Sequence, residues 1–226
     1  MRPPRTIALD GPAGVGKSTI GKLLADRHSY LFLDTGVLYR AVSLAAVRQG
    51  LASADAISLS IVARDLDVAI GRAEPESGYM YRVLLCGEDV TEALRSPEVE
   101  QIVSEVSAHP QVRAQLLQRQ REIARANPSV LVGRDIGTVV LPDADLKVYL
   151  DATIEERTMR RHRERLLKDP AFPYERVLAE LQRRDKLDTE RTSSPLSVPV
   201  DAILIDTTGK DVDAVLLEIE ARMEAA

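Results

Sequence analysis

One cysteine, Cys86, is all the chain has, which excludes an internal disulfide and any metal site built from several thiolates. Its three histidines, His28, His109 and His162, are scattered without ligand spacing and read as surface or packing residues. Long apolar runs are also missing. Met1-Arg2-Pro3-Pro4-Arg5 leads straight into a strand-like segment, and no later run approaches the roughly 18 residues of a membrane span. A membrane role is therefore not expected, and the lone cysteine suits a reducing, cytoplasmic setting. Excess positive charge is absent too: the net charge is −5 and the pI about 5.4, so no global field would hold DNA or RNA.

What is present is a chain of 226 residues, 45% apolar, enough for one core with an insertion or two, and a monomer is expected. The cations are mostly arginine, with lysine left to a few sites such as Lys17, Lys22, Lys147 and Lys186. Arginine forks suit phosphate oxygens. A codon bias of the source genome would produce the same excess, so this feature alone decides nothing.

Short apolar runs recur with helical stretches between them: Thr6–Leu9, Tyr30–Leu33, Val130–Val132, Lys147–Leu150 and Ala202–Ile205. That alternation predicts an α/β fold, a parallel sheet core flanked by helices, which with the glycine-rich loop Gly11–Ser18 after the first strand is of P-loop NTPase type. Helices are expected at about 17–27, 36–49, 97–126, 153–167, 173–190 and 210–224. Thr153-Ile154-Glu155-Glu156 reads as a capping box, with Glu156 returning a bond to the Thr153 N–H. From Leu66 to Val90 the pattern changes to alternating strands around Glu74-Pro75-Glu76-Ser77-Gly78, which predicts a small antiparallel β insert. Lys168–Pro173 is either a mobile flap or an ordinary connection between two Arg-rich helices.

Gly11-Pro12-Ala13-Gly14-Val15-Gly16-Lys17-Ser18 follows an apolar strand and opens a helical pattern at Thr19, matching G-x-x-x-x-G-K-[ST] in its required context. The glycines let consecutive N–H groups face phosphates, and the helix N-terminus adds partial positive charge. Lys17 would meet the β- and γ-phosphate oxygens of ATP, and Ser18 would offer its hydroxyl to Mg²⁺. A GTPase is excluded, because its guanine-reading Asn-Lys-x-Asp needs an asparagine, and the single one, Asn127, precedes Pro128.

The P-loop does not identify the phosphoryl acceptor. Asp34-Thr35-Gly36-Val37-Leu38-Tyr39-Arg40 follows the second strand, and Gly133-Arg134-Asp135-Ile136-Gly137-Thr138 follows Val130–Val132, so both project from the ligand-binding edge of the sheet. Each arginine alone would pass as half of a structural ion pair. Beside a P-loop, two strand-end arginines favour anion binding.

Taken with Gly87-Glu88-Asp89-Val90, Arg95, Ser104, Pro110-Gln111-Val112-Arg113, Pro142-Asp143-Ala144, and Arg184-Asp185 with Asp188 and Arg191 before Pro195-Leu196, the chain resembles bacterial cytidylate kinase over nearly its whole length. The resemblance implies transfer of the ATP γ-phosphoryl to CMP or dCMP. Kinases for another small acceptor, such as UMP or dTMP, remain the alternative. It further implies that Ser104, Arg113 and Asp135 read the cytosine and that Arg184 and Asp188 take the sugar hydroxyls. Arg40, Arg134 and Arg191 would grip the monophosphate, with Thr35 and Tyr39 beside them. Arg157, Arg160 and Arg161 fall in the segment that closes over ATP, and a solvated charged face is the other reading of that trio. On the same basis the core is expected at about 1–35, 127–152 and 174–226, the monophosphate region with its β insert at about 36–126, and a lid at about 153–173.

Overall fold

A computed structural model describes residues 3–71, 73–167 and 169–225, so Arg72 in the expected insert and Lys168 at the start of the expected flap lie outside the described residues. In chain order the elements begin with β1 (Thr6–Asp10), α1 (Lys17–His28), β2 (Leu31–Asp34), α2 (Gly36–Arg48), α3 (Ala56–Arg64), β3 (Val68–Gly71), β4 (Arg82–Leu85) and β5 (Glu88–Asp89). There follow α4 (Pro97–Ala108), α5 (Pro110–Ala126), β6 (Ser129–Val132), β7 (Leu146–Asp151), α6 (Ile154–Leu166), α7 (Tyr174–Glu190), β8 (Ile203–Asp206) and α8 (Val212–Ala225). Two compact units emerge: the residues up to Asp34 together with those from Arg121 onward, and Thr35–Gln120.

The first unit is built on a five-stranded parallel sheet ordered β2-β6-β1-β7-β8. The inner strands are apolar and buried on both faces, as parallel strands covered by helices must be, whereas β2 and β8 at the edges are more exposed. Ile7, Leu9, Val130, Val132, Val148 and Leu150 pack with Ile20 and Leu24 of α1 and with Leu216 and Ile219 of α8. Because β6 and β7 flank β1 on opposite sides, the crevice at the carboxyl end of β1 is the topological switch point where ligands bind in open α/β sheets. Gly11 occupies that point.

The second unit pairs helices with a three-stranded antiparallel sheet, β3-β4-β5, over a core including Leu38, Val42, Leu59, Val83, Val103 and Leu116. The insert is thus present as expected, its hairpin turn at Cys86-Gly87 held by left-handed backbone at both residues. Among the described residues no helix is long and apolar enough to cross a membrane.

Three local expectations need correction. The stretch expected as one helix at 97–126 is two, because Pro110 has no N–H to donate and forces His109 into extended backbone (ψ 119). Helix α3 was not expected; Asp55 starts it by accepting from Ser58 N at 3.0 Å. The capping box is only half made. Thr153 Oγ1 accepts from Glu156 N at 3.3 Å, but the Glu156 carboxylate turns to Arg160 at 2.8 Å and the Thr153 N–H donates to Thr208 Oγ1. Thr153→Ala should therefore lower the unfolding free energy by about 1 kcal/mol. A urea midpoint unchanged from wild type would show that the hydroxyl does not hold the helix start.

Candidate active site

Gly11, Gly14 and Gly16 have φ of 144, 84 and 95, a run of conformations that side chains with a Cβ resist, and together they wrap the chain from the end of β1 into α1. Gly16 is the N-cap and offers no side-chain bond, and no acidic residue lies in the first turn. The positive end of α1 is left for an anion. The outer rim of the loop is anchored from α6: Arg157 donates to Ala13 O at 3.1 Å, to Ala152 O at 3.1 Å and to Asp185 Oδ2 at 2.6 Å. Arg160 donates to Thr207 O at 2.6 Å and to Val15 O at 3.4 Å. The carbonyls of Ala13 and Val15 are thereby tied to α6. Arg161 donates to Glu164 at 2.8 Å.

Lys17 is buried, and its ammonium donates to Pro12 O at 2.6 Å. Burial first, then the positive charges of Arg134 and Arg184, push it well below the ordinary lysine range, with Asp34 and Asp10 pulling the other way. An anion placed there would restore the charged form. Ser18 Oγ donates to Asp34 Oδ2 at 2.6 Å, which commits the hydroxyl proton and leaves the oxygen lone pairs for a cation.

A second cluster in the same unit gathers around Asp188. Its Oδ2 takes Arg134 Nε at 2.9 Å and has Arg184 Nε at 4.0 Å, while Oδ1 faces Arg191 at 3.9 Å. Burial alone would raise the carboxyl, yet Arg134, Arg184 and Arg191 together hold it below the usual carboxylate range. Arg191 also approaches Asp135 at 3.5 Å and donates to Ser194 O at 2.6 Å. The spacing of four on α7 puts Arg184 and Asp188 on one face. Three guanidiniums thus gather around the Asp188 carboxylate, a concentration of arginine suited to a phosphate.

Between the two clusters lies a residue not singled out from the sequence. Asp10, the last residue of β1 and 1% exposed, accepts from Ile136 N at 2.8 Å and Gly137 N at 2.7 Å. Burial lifts its pKa to about 6 and the like charge of Asp135 adds to this, while the two N–H bonds and Lys17 oppose it. Raised from 3.8 in the unfolded chain, the group stabilises the fold below about pH 4, and that contribution is lost as pH rises through 6. At neutral pH the ionised carboxylate is kept at a cost in stability.

In the second unit, Tyr39 and Arg113 come together, with the guanidinium 5.3 Å above the ring and donating to Ser107 O at 3.1 Å. Arg40 donates to Glu100 at 2.9 Å and to Leu94 O at 3.2 Å. Glu100 shares α4 with Ser104, and Thr35, just ahead of α2, is buried. Asp10 and Glu100 were not singled out from the sequence, and Asp34 and Asp185 stood in its motifs without a role of their own. Asp10 carried a signal, a single acid ending an apolar strand next to the first P-loop glycine; the others became legible only through their partners.

The family model of cytidylate kinase matches residues 7–225. A cytidylate kinase of Carboxydothermus hydrogenoformans is 45% identical over 219 residues, 96% of this chain and 97% of that protein. One from Symbiobacterium thermophilum is 46% identical over 213 residues, 94% of this chain and 93% of its own. The crystal structure of an uncharacterized protein from Eubacterium ventriosum superposes with a TM-score of 0.54 at 14% identity, covering 98% of both chains, a likeness of fold alone.

Proposed function

The chain belongs to the cytidylate kinase family, and from that premise we propose how its residues carry the reaction, transfer of the γ-phosphoryl of ATP to CMP or dCMP with release of ADP. The observation that carries the reading is Lys17, buried in a glycine-built loop within the field of Arg134 and Arg184 on one side and of Asp34 and Asp10 on the other.

The loop N–H groups and Lys17 take the donor phosphates. Arg134 and Arg191 hold the acceptor phosphate, Arg184 and Asp188 the sugar hydroxyls, and Asp135 accepts from the exocyclic amine of cytosine, a donor that uracil lacks. In the second unit, Thr35, Tyr39, Arg40, Ser104 and Arg113 serve the acceptor, and Arg157 and Arg161 belong to the donor side. The nucleophile is a phosphate oxygen already anionic, so no base is required and the residues act by holding the two nucleotides in line, neutralising charge and excluding water.

Mg²⁺ fits this donor set. Ser18 donates its O–H to Asp34 and keeps its lone pairs for a cation, and among the described residues there is no group of three or more His, Cys, Asp or Glu placed to hold a metal. The ion would thus arrive with the nucleotide phosphates, bound by Ser18 and waters, and supply charge neutralisation. A cytoplasmic monomer is part of this reading, on the strength of the lone cysteine and the acidic net charge.

Coupled ADP release across CMP, dCMP, UMP and dTMP tests the assignment. CMP and dCMP should be the preferred acceptors, and higher kcat/KM with UMP or dTMP would overturn it. Asp135→Ala should raise KM for CMP by about tenfold or more and leave ATP affinity little changed, since a hydrogen bond to a charged group is lost on the acceptor alone. Loss of ATP affinity with CMP binding intact would put Asp135 on the other nucleotide.

A further inference from the structure

The loop that bears Arg134 and Asp135 continues into a turn of π-helix, Ile136–Val140, a rare form that recurs at functional sites. Here it is held from both ends. The first N–H groups of the turn reach the Asp10 carboxylate, one on each oxygen, and its last carbonyls, Val139 O and Val140 O, each accept from Arg121 at 2.9 Å. A negative group at the amino end and a positive group at the carboxyl end match the dipole of the turn. The carbonyl of Leu9, one residue before Asp10, accepts from Gly133 N at 3.1 Å, so the two loops are joined on either side of Arg134 and Asp135.

We infer that Asp10 is a positioning residue for phosphoryl transfer, whose ionised carboxylate ties the Arg134-Asp135 loop to the base of the P-loop and so sets the acceptor-binding groups against Lys17. This role rests on Arg134 and Asp135 binding the acceptor, as proposed above.

Both oxygens are needed as acceptors. A protonated carboxyl, or the amide of an asparagine of the same size, would point a donor at one of the two N–H groups. Three titratable groups face Asp10 from neighbouring elements. Lys17 lies on α1, Asp135 on the loop itself, and Tyr149 on β7 stands opposite Asp10 in the strand register. Tyr149 stays neutral at working pH, its phenol pushed up to about 12 by burial and by the charges of Asp151 and Asp10. Lys17 and Asp135 are common to any comparison in which only Asp10 is altered.

The test is a comparison of wild type with Asp10→Asn from about pH 5 to pH 8. At the alkaline end, D10N should lose about ten- to hundredfold in kcat/KM for CMP, carried by KM for CMP, with ATP affinity within about threefold. As pH falls through about 6, the ratio of variant to wild type should climb towards one, because wild type loses the same acceptor by protonation. Ionisation of the CMP phosphate, also near pH 6, acts on both proteins and divides out of the ratio. A ratio independent of pH, or a defect confined to Tm, would overturn the assignment and leave Asp10 a structural residue. The ¹⁵N and amide ¹H resonances of Ile136 and Gly137 in nucleotide-free wild type should titrate with a midpoint near 6. Resonances that do not move would equally overturn it. That readout requires neither a folded variant nor turnover of CMP, so a wild type inactive on CMP would sink the proposed reaction while the titration still tests the tie between Asp10 and the loop.

Discussion

Lys17→Ala should lower turnover with CMP by about 10²–10³-fold while the protein stays folded. Its ammonium is buried next to Arg134 and Arg184 with Pro12 O as a hydrogen-bond partner, an arrangement that makes the charged form unfavourable until phosphates arrive. Charge growing on the transferring group would meet a donor already aimed and dehydrated, which is where electrostatic stabilisation is largest. The same environment fixes the sign of the stability change. Removing a cation that is buried and repelled by two arginines takes away an unfavourable term, so Tm of the variant should equal or exceed that of wild type. Single-turnover assays and a thermal melt separate the two effects. Turnover within a few-fold of wild type would show that Lys17 does not touch the donor, and a collapsed Tm would show that it serves the fold.

Gly11→Ala should be the most damaging small change in the P-loop. Gly11 has φ of 144, a region open only to glycine, and a Cβ there would lie 2.1 Å from Leu150 O and 3.1 Å from its carbonyl carbon. Leu150 belongs to β7 in the middle of the sheet, so nothing can swing aside. Backbone strain and overpacking together should cost about 2–6 kcal/mol. Gly16→Ala provides the contrast, since its φ of 95 carries strain but nothing lies within 4 Å of the added carbon. Its cost should stay near the strain contribution, about 1–3 kcal/mol. Urea unfolding of both variants reports the difference. Equal losses would mean that the approach of Gly11 to β7 is not what requires glycine.

Where sequence reading succeeded, the chemistry was local. Gly11–Ser18 is a loop whose residue types are dictated position by position, and the buried parallel strands announce themselves as short apolar runs between helical stretches. The insert was legible because Leu66 to Val90 changes period from helical to alternating. Where it failed, the cause was a competing local effect or a distant partner. Pro110 breaks what periodicity alone renders as one long helix, and α3 is short and leaves Ile57 73% exposed, so its apolar residues do not trace a clean buried face. Glu156 fits a capping box on spacing, but Arg160 one turn on is a stronger partner for its carboxylate. The arginines of α6 looked alike in the sequence, yet Arg157 and Arg160 anchor the carbonyls behind the P-loop while Arg161 pairs with Glu164. Asp10 meets its partners 126 and 127 residues away, a separation that no sequence window spans.

The most direct measurement follows the label from γ-labelled ATP in the presence of CMP. A cytidylate kinase deposits it on the terminal phosphate of CDP, in amounts equal to the ADP formed, with little appearing as inorganic phosphate. Label released only as inorganic phosphate, or carried to UMP or dTMP in preference to CMP, would contradict the assignment.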